Sequence, residues 1–295
     1  MDIRVSIVLP FYANIKSLEK CLRALSVQKF RSPLAYEVLV VDNSQRGHDA
    51  KLVPALGRAL PLKVFHEARP GSYAARNRAL REARGEFLLF TDADCVPTAT
   101  WIEECVTQLE RYVDSEGVYL AGRVKFIKPT HPTSLAARYD QYFHLKQKYF
   151  ASVLGFAATA NMAIRKTHFD RVGAFDESFL SGGDQDWGRR AALAGLTVRF
   201  SPRVVVRHPC VGSLRELVQK ERRMAAGHLR LARKWPAFKA LPNKGLRTRF
   251  PRPRMMLSSS KPLAMLQFQM LHWSLRAVRF LETIRCRLGA QGPRV

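Results

Sequence analysis

The sequence predicts an α/β protein: a mostly parallel sheet with helices on both faces, followed by a basic helical C-terminal extension. Three observations lead there. Short, almost uninterrupted apolar runs recur through the first two hundred residues. Amphipathic or alanine-rich segments lie between them. After about Arg215 the composition turns strongly basic. Strands covered on both faces read as continuous apolar runs, and their alternation with helices is the pattern of a parallel sheet.

The elements follow in order. Val5-Ser6-Ile7-Val8-Leu9 reads as a buried strand ending at Pro10. Asn14 then caps a helix whose apolar stripe is Leu18, Cys21, Leu22 and Leu25, at helical spacing. Glu37 to Val41 is a second strand that stops at Asp42, and Leu62 to Phe65 a third. Gly71 precedes a helix carrying Ala74, Ala75, Ala79, Leu80 and Ala83, which stops at Gly85. Phe87 to Phe90 is a fourth strand, running into Thr91-Asp92-Ala93-Asp94. Trp101 to Tyr112 reads as a helix and Val118 to Ile127 as a strand. Ligands of open α/β sheets bind beyond the carboxyl ends of the strands. Pro10-Phe11-Tyr12, Asp42 and the Asp92/Asp94 pair all stand just past such ends, so the fold would gather them on one edge.

Domain organisation follows from the same reading: residues 1–212 form the α/β domain, with halves at about 1–127 and 128–212, and residues 213–295 form the basic extension. In the extension, Leu214 to Trp235 has helical apolar spacing (Leu214, Leu217, Val218, Leu231, Trp235) with dense arginine and lysine between. The stretch 241–261 is rich in Pro, Ser and basic residues and reads as a linker. Leu263 to Arg285 reads as a last amphipathic helix: Leu263, Leu266, Met270, Trp273, Ala277, Leu281 and Ile284 face one way, His272, Arg276 and Arg279 the other.

Composition narrows the function classes. The chain carries +25, of which +16 falls between Arg215 and the end (19 Lys/Arg against 3 Asp/Glu). A basic tail favours anionic partners. Five scattered cysteines without a CxxC pair suggest neither a zinc knuckle nor a disulfide framework, and fit a reducing, cytoplasmic compartment. The opening residues show no secretory signal, and no apolar run is long enough to span a bilayer.

Asp92-Ala93-Asp94 is the central chemical clue. Two carboxylates one residue apart in a turn can face one cation, and hard oxygen ligands suit Mg²⁺ or Mn²⁺, which bridge phosphate oxygens. Such a triplet is frequent in turns, and its weight comes from context. Val8-Leu9-Pro10-Phe11-Tyr12, Val40-Val41-Asp42-Asn43-Ser44, Arg76-Asn77 and the Asp92 segment stand in order. Downstream come Ala160-Asn161-Met162-Ala163-Ile164-Arg165, Val172-Gly173-Ala174-Phe175-Asp176-Glu177 and Gly183-Asp184-Gln185-Asp186-Trp187-Gly188-Arg189-Arg190. The set resembles the family 2 glycosyltransferases over roughly residues 3 to 210.

That resemblance implies a GT-A fold, an inverting transfer of sugar from a nucleotide-diphospho-sugar, and a divalent metal, Mn²⁺ or Mg²⁺. It implies roles as well. Pro10, Phe11 and Tyr12 would wall the nucleobase, and Asp42 would accept a hydrogen bond from it, which favours a UDP-sugar. Arg76 would clamp a phosphate or pair with Asp92. Asp92 would support the ribose side of the site, Asp94 would bind metal directly, and His208 would complete the metal shell or touch the diphosphate. Asp184 would be the base that deprotonates the acceptor hydroxyl, a role compatible with capping its helix. Asn161, Gly183, Asp186 and Trp187 would lie around the acceptor and donor sugar, Asp186 bracing its helix. Gly183 and Trp187 depart from the family pattern, where Glu and Leu are common.

Two other classes compete. A sugar nucleotidyltransferase needs a glycine-rich, arginine-containing loop after the first strand, and here Pro10-Phe11-Tyr12-Ala13-Asn14 has no glycine. A nucleic-acid binder would explain the charge, but no recognised module is present. The basic tail instead fits a lipid-linked or other glycan acceptor in envelope or exopolysaccharide synthesis. The expected location is cytoplasmic, peripheral on the inner face of the plasma membrane. The last helix would lie in an anionic bilayer surface or pack its apolar face on the core.

Overall fold

In the computed structural model, residues 2–44, 60–127, 134–236 and 262–289 are described. Four parallel strands follow from the apolar runs. β1 (Val5–Phe11) lies between β2 (Tyr36–Asp42) and β4 (Phe87–Thr91), and β3 (Leu62–His66) pairs with β2. Helix α1 (Ile15–Ser26) starts where Asn14 accepts from the Ser17 N–H at 3.1 Å, and it buries Leu18, Cys21, Leu22 and Leu25. Helix α2 (Ser72–Leu80) ends well before Gly85, and α3 (Trp101–Leu109) stops short of Tyr112.

The sheet is mostly parallel, as expected, with antiparallel pairings farther along it. Its order is β3-β2-β1-β4-β7-β6-β8-β5, with β5 at Val96–Pro97, β6 at Val118–Phe126, β7 at Asn161–Arg165 and β8 at Thr197–His208. β7 runs antiparallel to β4 and to β6, while β8 runs parallel to β6. The short helix α5 (Gln147–Tyr149) sets the entry to β7: the Gln147 amide donates to the carbonyls of Ala158 and Asn161, both at 2.9 Å. Helices α6 (Lys166–Val172) and α7 (Gly183–Leu193) follow β7. The core is built from Val5, Ile7, Leu9, Phe87, Leu89, Trp101, Leu120, Ala163 and Val206, all fully or almost fully buried.

The chain divides into two compact units, Met1–Lys128 with Leu145–Cys210, and Pro129–His144 with Val211–Val295. The stretch before His144, expected in the second half of the α/β domain, therefore clusters with the C-terminal helices. The second unit contains α4 (Leu135–Phe143), α8 (Leu214–Lys234) and α9 (Pro262–Arg287). The Pro- and Ser-rich stretch 241–261 lies outside the described residues.

In the C-terminal unit the last helix leaves its expected apolar stripe outward. Ala136, Tyr139, Leu217, Phe268, Leu271 and Leu275 form its apolar core. The stripe of Leu266, Met270, Trp273, Leu281 and Ile284 is exposed instead. The reason is electrostatic. Asp140, His144 and Glu221 are buried together, with His144 Nδ1 2.6 Å from Asp140 and its Nε2 3.0 Å from Glu221. Buried carboxylates require cationic partners. Lys220 supplies one to Asp140 at 2.6 Å and Arg279 of α9 the other to Glu221. Burial pushes the Glu221 carboxyl up, and the bonds from His144 and Arg279 outweigh it, holding the group at about 2. Tyr139 also meets His272 of α9 at 3.3 Å. The polar face of α9 thus turns inward.

Candidate active site

The turn after β4 places Asp92 and Asp94 in solvent reach, with 32% and 41% of their side chains exposed. One ligand atom each from Asp92, Asp94, Cys95 and His208 lies within 4.8 Å of the others. His208 is the last residue of β8, and its Nδ1 faces the Pro209 carbonyl at 2.5 Å. With Nδ1 donating there, Nε2 is the ring's acceptor, and it stands 3.7 Å from Asp94 Oδ1. Burial, and then the charges of Asp94 and Asp92, push the Cys95 thiol well above its ordinary pKa. A soft sulfur donor suits Mg²⁺ or Mn²⁺ poorly, so the useful donors are two carboxylates and an imidazole. That set fits a hard or borderline divalent cation such as Mg²⁺ or Mn²⁺.

Two residues one turn apart on α2 reach the two acidic sites. Arg76 is buried and its guanidinium pairs with Asp92 Oδ1 at 2.5 Å. Of the two roles the sequence left open for Arg76, this contact is the ion pair with Asp92. Its Nε is buried without a hydrogen-bond partner among the described residues. Tyr73, one turn earlier, donates its hydroxyl to Asp184 Oδ1 at 3.3 Å and accepts the Asp184 N–H at 3.2 Å. The Arg76 guanidinium lies over the Tyr73 ring, 5.4 Å from its centroid. Asp184 is the second residue of α7, and its Oδ1 also accepts the Gln185 N–H at 3.0 Å. Enclosure by protein raises the Asp184 pKa, against the opposing pull of Arg76 and of hydrogen bonds to the carboxylate. A raised carboxyl pKa makes a stronger base.

The other expected site residues divide. Tyr12 is exposed and Pro10 partly so, but Phe11 belongs to the core with 2% exposure. Asp42, at the end of β2, is buried and its Oδ1 accepts the Ser44 N–H at 2.9 Å. Gly183 opens α7 against the Tyr73 ring.

Three residues expected around the sugar are framework. Asn161 is fully buried, accepting from the Trp101 indole at 2.9 Å and donating to the carbonyls of Arg123 and Val204. Asp186 is fully buried and pairs with Arg190 at 3.1 Å. Trp187 is 1% exposed, stacked on Phe169 and bonded to the Gly173 carbonyl. Each has its polar groups engaged by protein and no free surface. Two residues of the site escaped the sequence reading, Cys95 and Tyr73. The spacing of Tyr73 from Arg76 was the signal available, since i and i+3 share a helix face.

The profile described as "Glycosyl transferase family 2" matches residues 6–173. The chain belongs to the family 2 glycosyltransferases. This glycosyltransferase is 33% identical over 230 residues to glycosyltransferase AglE of Haloferax volcanii, covering 77% of the present chain and 73% of AglE. It is 25% identical over 228 residues to the pre-mycofactocin glycosyltransferase of Mycobacterium tuberculosis, covering 74% of this chain but only 45% of that one. Among solved structures, the Pyrobaculum calidifontis mannosyltransferase PcManGT, in complex with GDP-Man and Mn²⁺, superposes with a TM-score of 0.62 at 19% identity, covering 99% of this chain and 77% of that one. Staphylococcus aureus TarS 1-349 with UDP-GlcNAc gives 0.56 at 16% identity, covering 97% and 92%. The fold of this glycosyltransferase is therefore GT-A.

Proposed function

We propose that the enzyme is an inverting, metal-dependent glycosyltransferase in which Asp184 is the base and Asp92, Asp94 and His208 face the donor diphosphate. One observation carries the reading: Tyr73 and Arg76, a turn apart on α2, grip Asp184 and Asp92 respectively. A base and a cation-binding turn are thereby tied to one helix. Asp184 takes the proton of the acceptor hydroxyl. The freed oxygen forms a bond to the anomeric carbon as the bond to the diphosphate breaks, and its electron pair leaves with the diphosphate. Attack opposite the leaving group inverts the anomeric centre. Asp94, Asp92 and His208 would hold Mn²⁺ or Mg²⁺, which when bound neutralises charge developing on the departing diphosphate. Asp42, Pro10 and Tyr12 receive the nucleoside, and a UDP-sugar is the favoured donor. PcManGT with GDP-Man and TarS with UDP-GlcNAc make these two nucleotide-sugars the first to try.

The test measures nucleoside diphosphate release from UDP-GlcNAc, UDP-glucose, GDP-mannose and dTDP-glucose with Mn²⁺. Asp184→Asn and Asp94→Asn should each abolish it while circular dichroism and melting show an intact fold. Full activity in both variants would sink the assignment.

The exposed face of α9 supports a reading of the acceptor. No helix among the described residues is long and apolar enough to cross a membrane. Yet Leu266, Met270, Trp273, Phe280 and Leu281 are exposed on α9, within the most basic part of the chain. An exposed apolar stripe beside arginines fits the interface of an anionic bilayer. The reading is a peripheral enzyme on the cytoplasmic face of the plasma membrane, acting on a lipid-linked glycan in envelope or exopolysaccharide synthesis. Co-sedimentation with phosphatidylglycerol vesicles but not with phosphatidylcholine vesicles is the expected result. Equal sedimentation with neither would remove the membrane from the proposal.

A further inference from the structure

We infer that Tyr73 is the positioning residue of the base, and that residue 183 is a glycine because the Tyr73 ring fills the space a side chain there would need. The inference rests on Asp184 being the base. A Cβ built on Gly183 would lie 2.7 to 2.9 Å from three carbons of the Tyr73 ring. Real Cβ atoms do not approach so closely, so no side chain fits at 183 while Tyr73 keeps its place. The ring is held in turn by Phe175 at 5.6 Å between centroids and by the Arg76 guanidinium. It is 5% exposed.

The hydroxyl makes a two-point grip. It accepts the backbone N–H of Asp184 and donates to the carboxylate of the same residue. Backbone and side chain of Asp184 are thus tied to one rigid group, which fixes the direction in which the carboxylate faces. Burial, and then the Asp184 charge, keep the phenol protonated and therefore a donor. In the family pattern a glutamate commonly precedes the base. A second carboxylate there would repel the charge on the base and raise its pKa, whereas a phenol donating to the carboxylate lowers it. Tyr73 therefore replaces the missing acid with a group of opposite electrostatic effect. Among the described residues, the charged and titratable groups facing Asp184 are Tyr73 and Arg76 from α2 and Tyr119 from β6, with the Gln185 N–H from its own helix.

Tyr73→Phe keeps the ring and removes only the hydroxyl. With UDP-GlcNAc or GDP-mannose as donor and water as acceptor, kcat should fall about tenfold or more, the loss of one hydrogen bond to a charged group. The donor KM should hold within about twofold. The acid limb of the kcat profile should move to higher pH, a shift that a packing role would not produce. Unchanged kcat and unchanged acid limb, with Asp184→Asn inactive, would overturn the inference and leave the base assignment standing. An active Asp184→Asn would instead remove the base assignment beneath it. A donor-free arm tests the steric half. Gly183→Ala should lower the melting temperature by several degrees, and most of that loss should vanish when Tyr73→Ala is added. Equal losses in both backgrounds would refute the shared space.

Discussion

Replacing Trp187 by leucine, the residue common at this place in the family, should destabilise the protein without touching substrate binding. The indole is 1% exposed. It stacks on Phe169 at 5.1 Å and 11°, meets Tyr119 edge-on at 5.4 Å, and donates to the Gly173 carbonyl at 2.9 Å. Core Trp→Ala changes cost about 3–5 kcal/mol, and leucine retains roughly half of the buried side chain, which leaves about 2 kcal/mol. The Gly173 carbonyl loses its donor for about 1 kcal/mol more. A total near 3 kcal/mol corresponds to a drop of about 6–12 °C in melting temperature for a unit of this size. Calorimetry of wild type and variant measures it. Kinetics well below the lower melting point should show donor and acceptor KM within about twofold of wild type. An unchanged melting temperature with a tenfold rise in acceptor KM would mean that the indole touches acceptor and is not framework.

Three further outcomes are expected. Asp94→Asn and His208→Ala should each weaken Mn²⁺ binding, followed by electron paramagnetic resonance, about tenfold or more, whereas Cys95→Ala should leave it within about twofold. His228 of α8 has its pKa pushed down to about 4 by burial and then by Arg279. The unfolded chain therefore takes up this proton first. The stability involved is complete above about pH 6.5 and falls as pH drops toward 4, by up to about 3 kcal/mol. Urea unfolding followed by hydrogen exchange in α8 should show that slope in wild type and a shallower one in His228→Gln. On α9, Trp273→Ser with Phe280→Ser should cut the affinity for anionic vesicles by about a hundredfold, since each exposed aromatic contributes roughly 1.5 kcal/mol when buried.

Local patterns in the sequence carried the first half of the fold. β1, β2 and β4 were legible because strands buried on both faces must be apolar throughout, and α1 because its stripe and its Asn14 cap are both local features. The Asp92/Asp94 turn was legible for the same reason: its position past a strand end is set by neighbours in the chain. β7 was not read as a strand. It is short and opens with Asn161, a residue that belongs in a strand only because the Trp101 indole and two backbone carbonyls satisfy its amide. Its antiparallel direction depends on partners far away in sequence.

By itself, then, the amino-acid sequence determined the parallel core strands, the acidic turn and the family, all of which rest on residues adjacent in the chain or in fixed order along it. Tertiary structure alone decided three things. It buried Asn161 and Trp187 as framework instead of leaving them around the sugar. It turned the polar face of α9 inward, because the buried Glu221 requires Arg279. It also brought Tyr73 onto Gly183 and Asp184, a contact across 111 positions. Hydropathy and spacing cannot carry that information, because a buried charge chooses its partner by distance in space and a ring excludes a side chain only from the volume it fills.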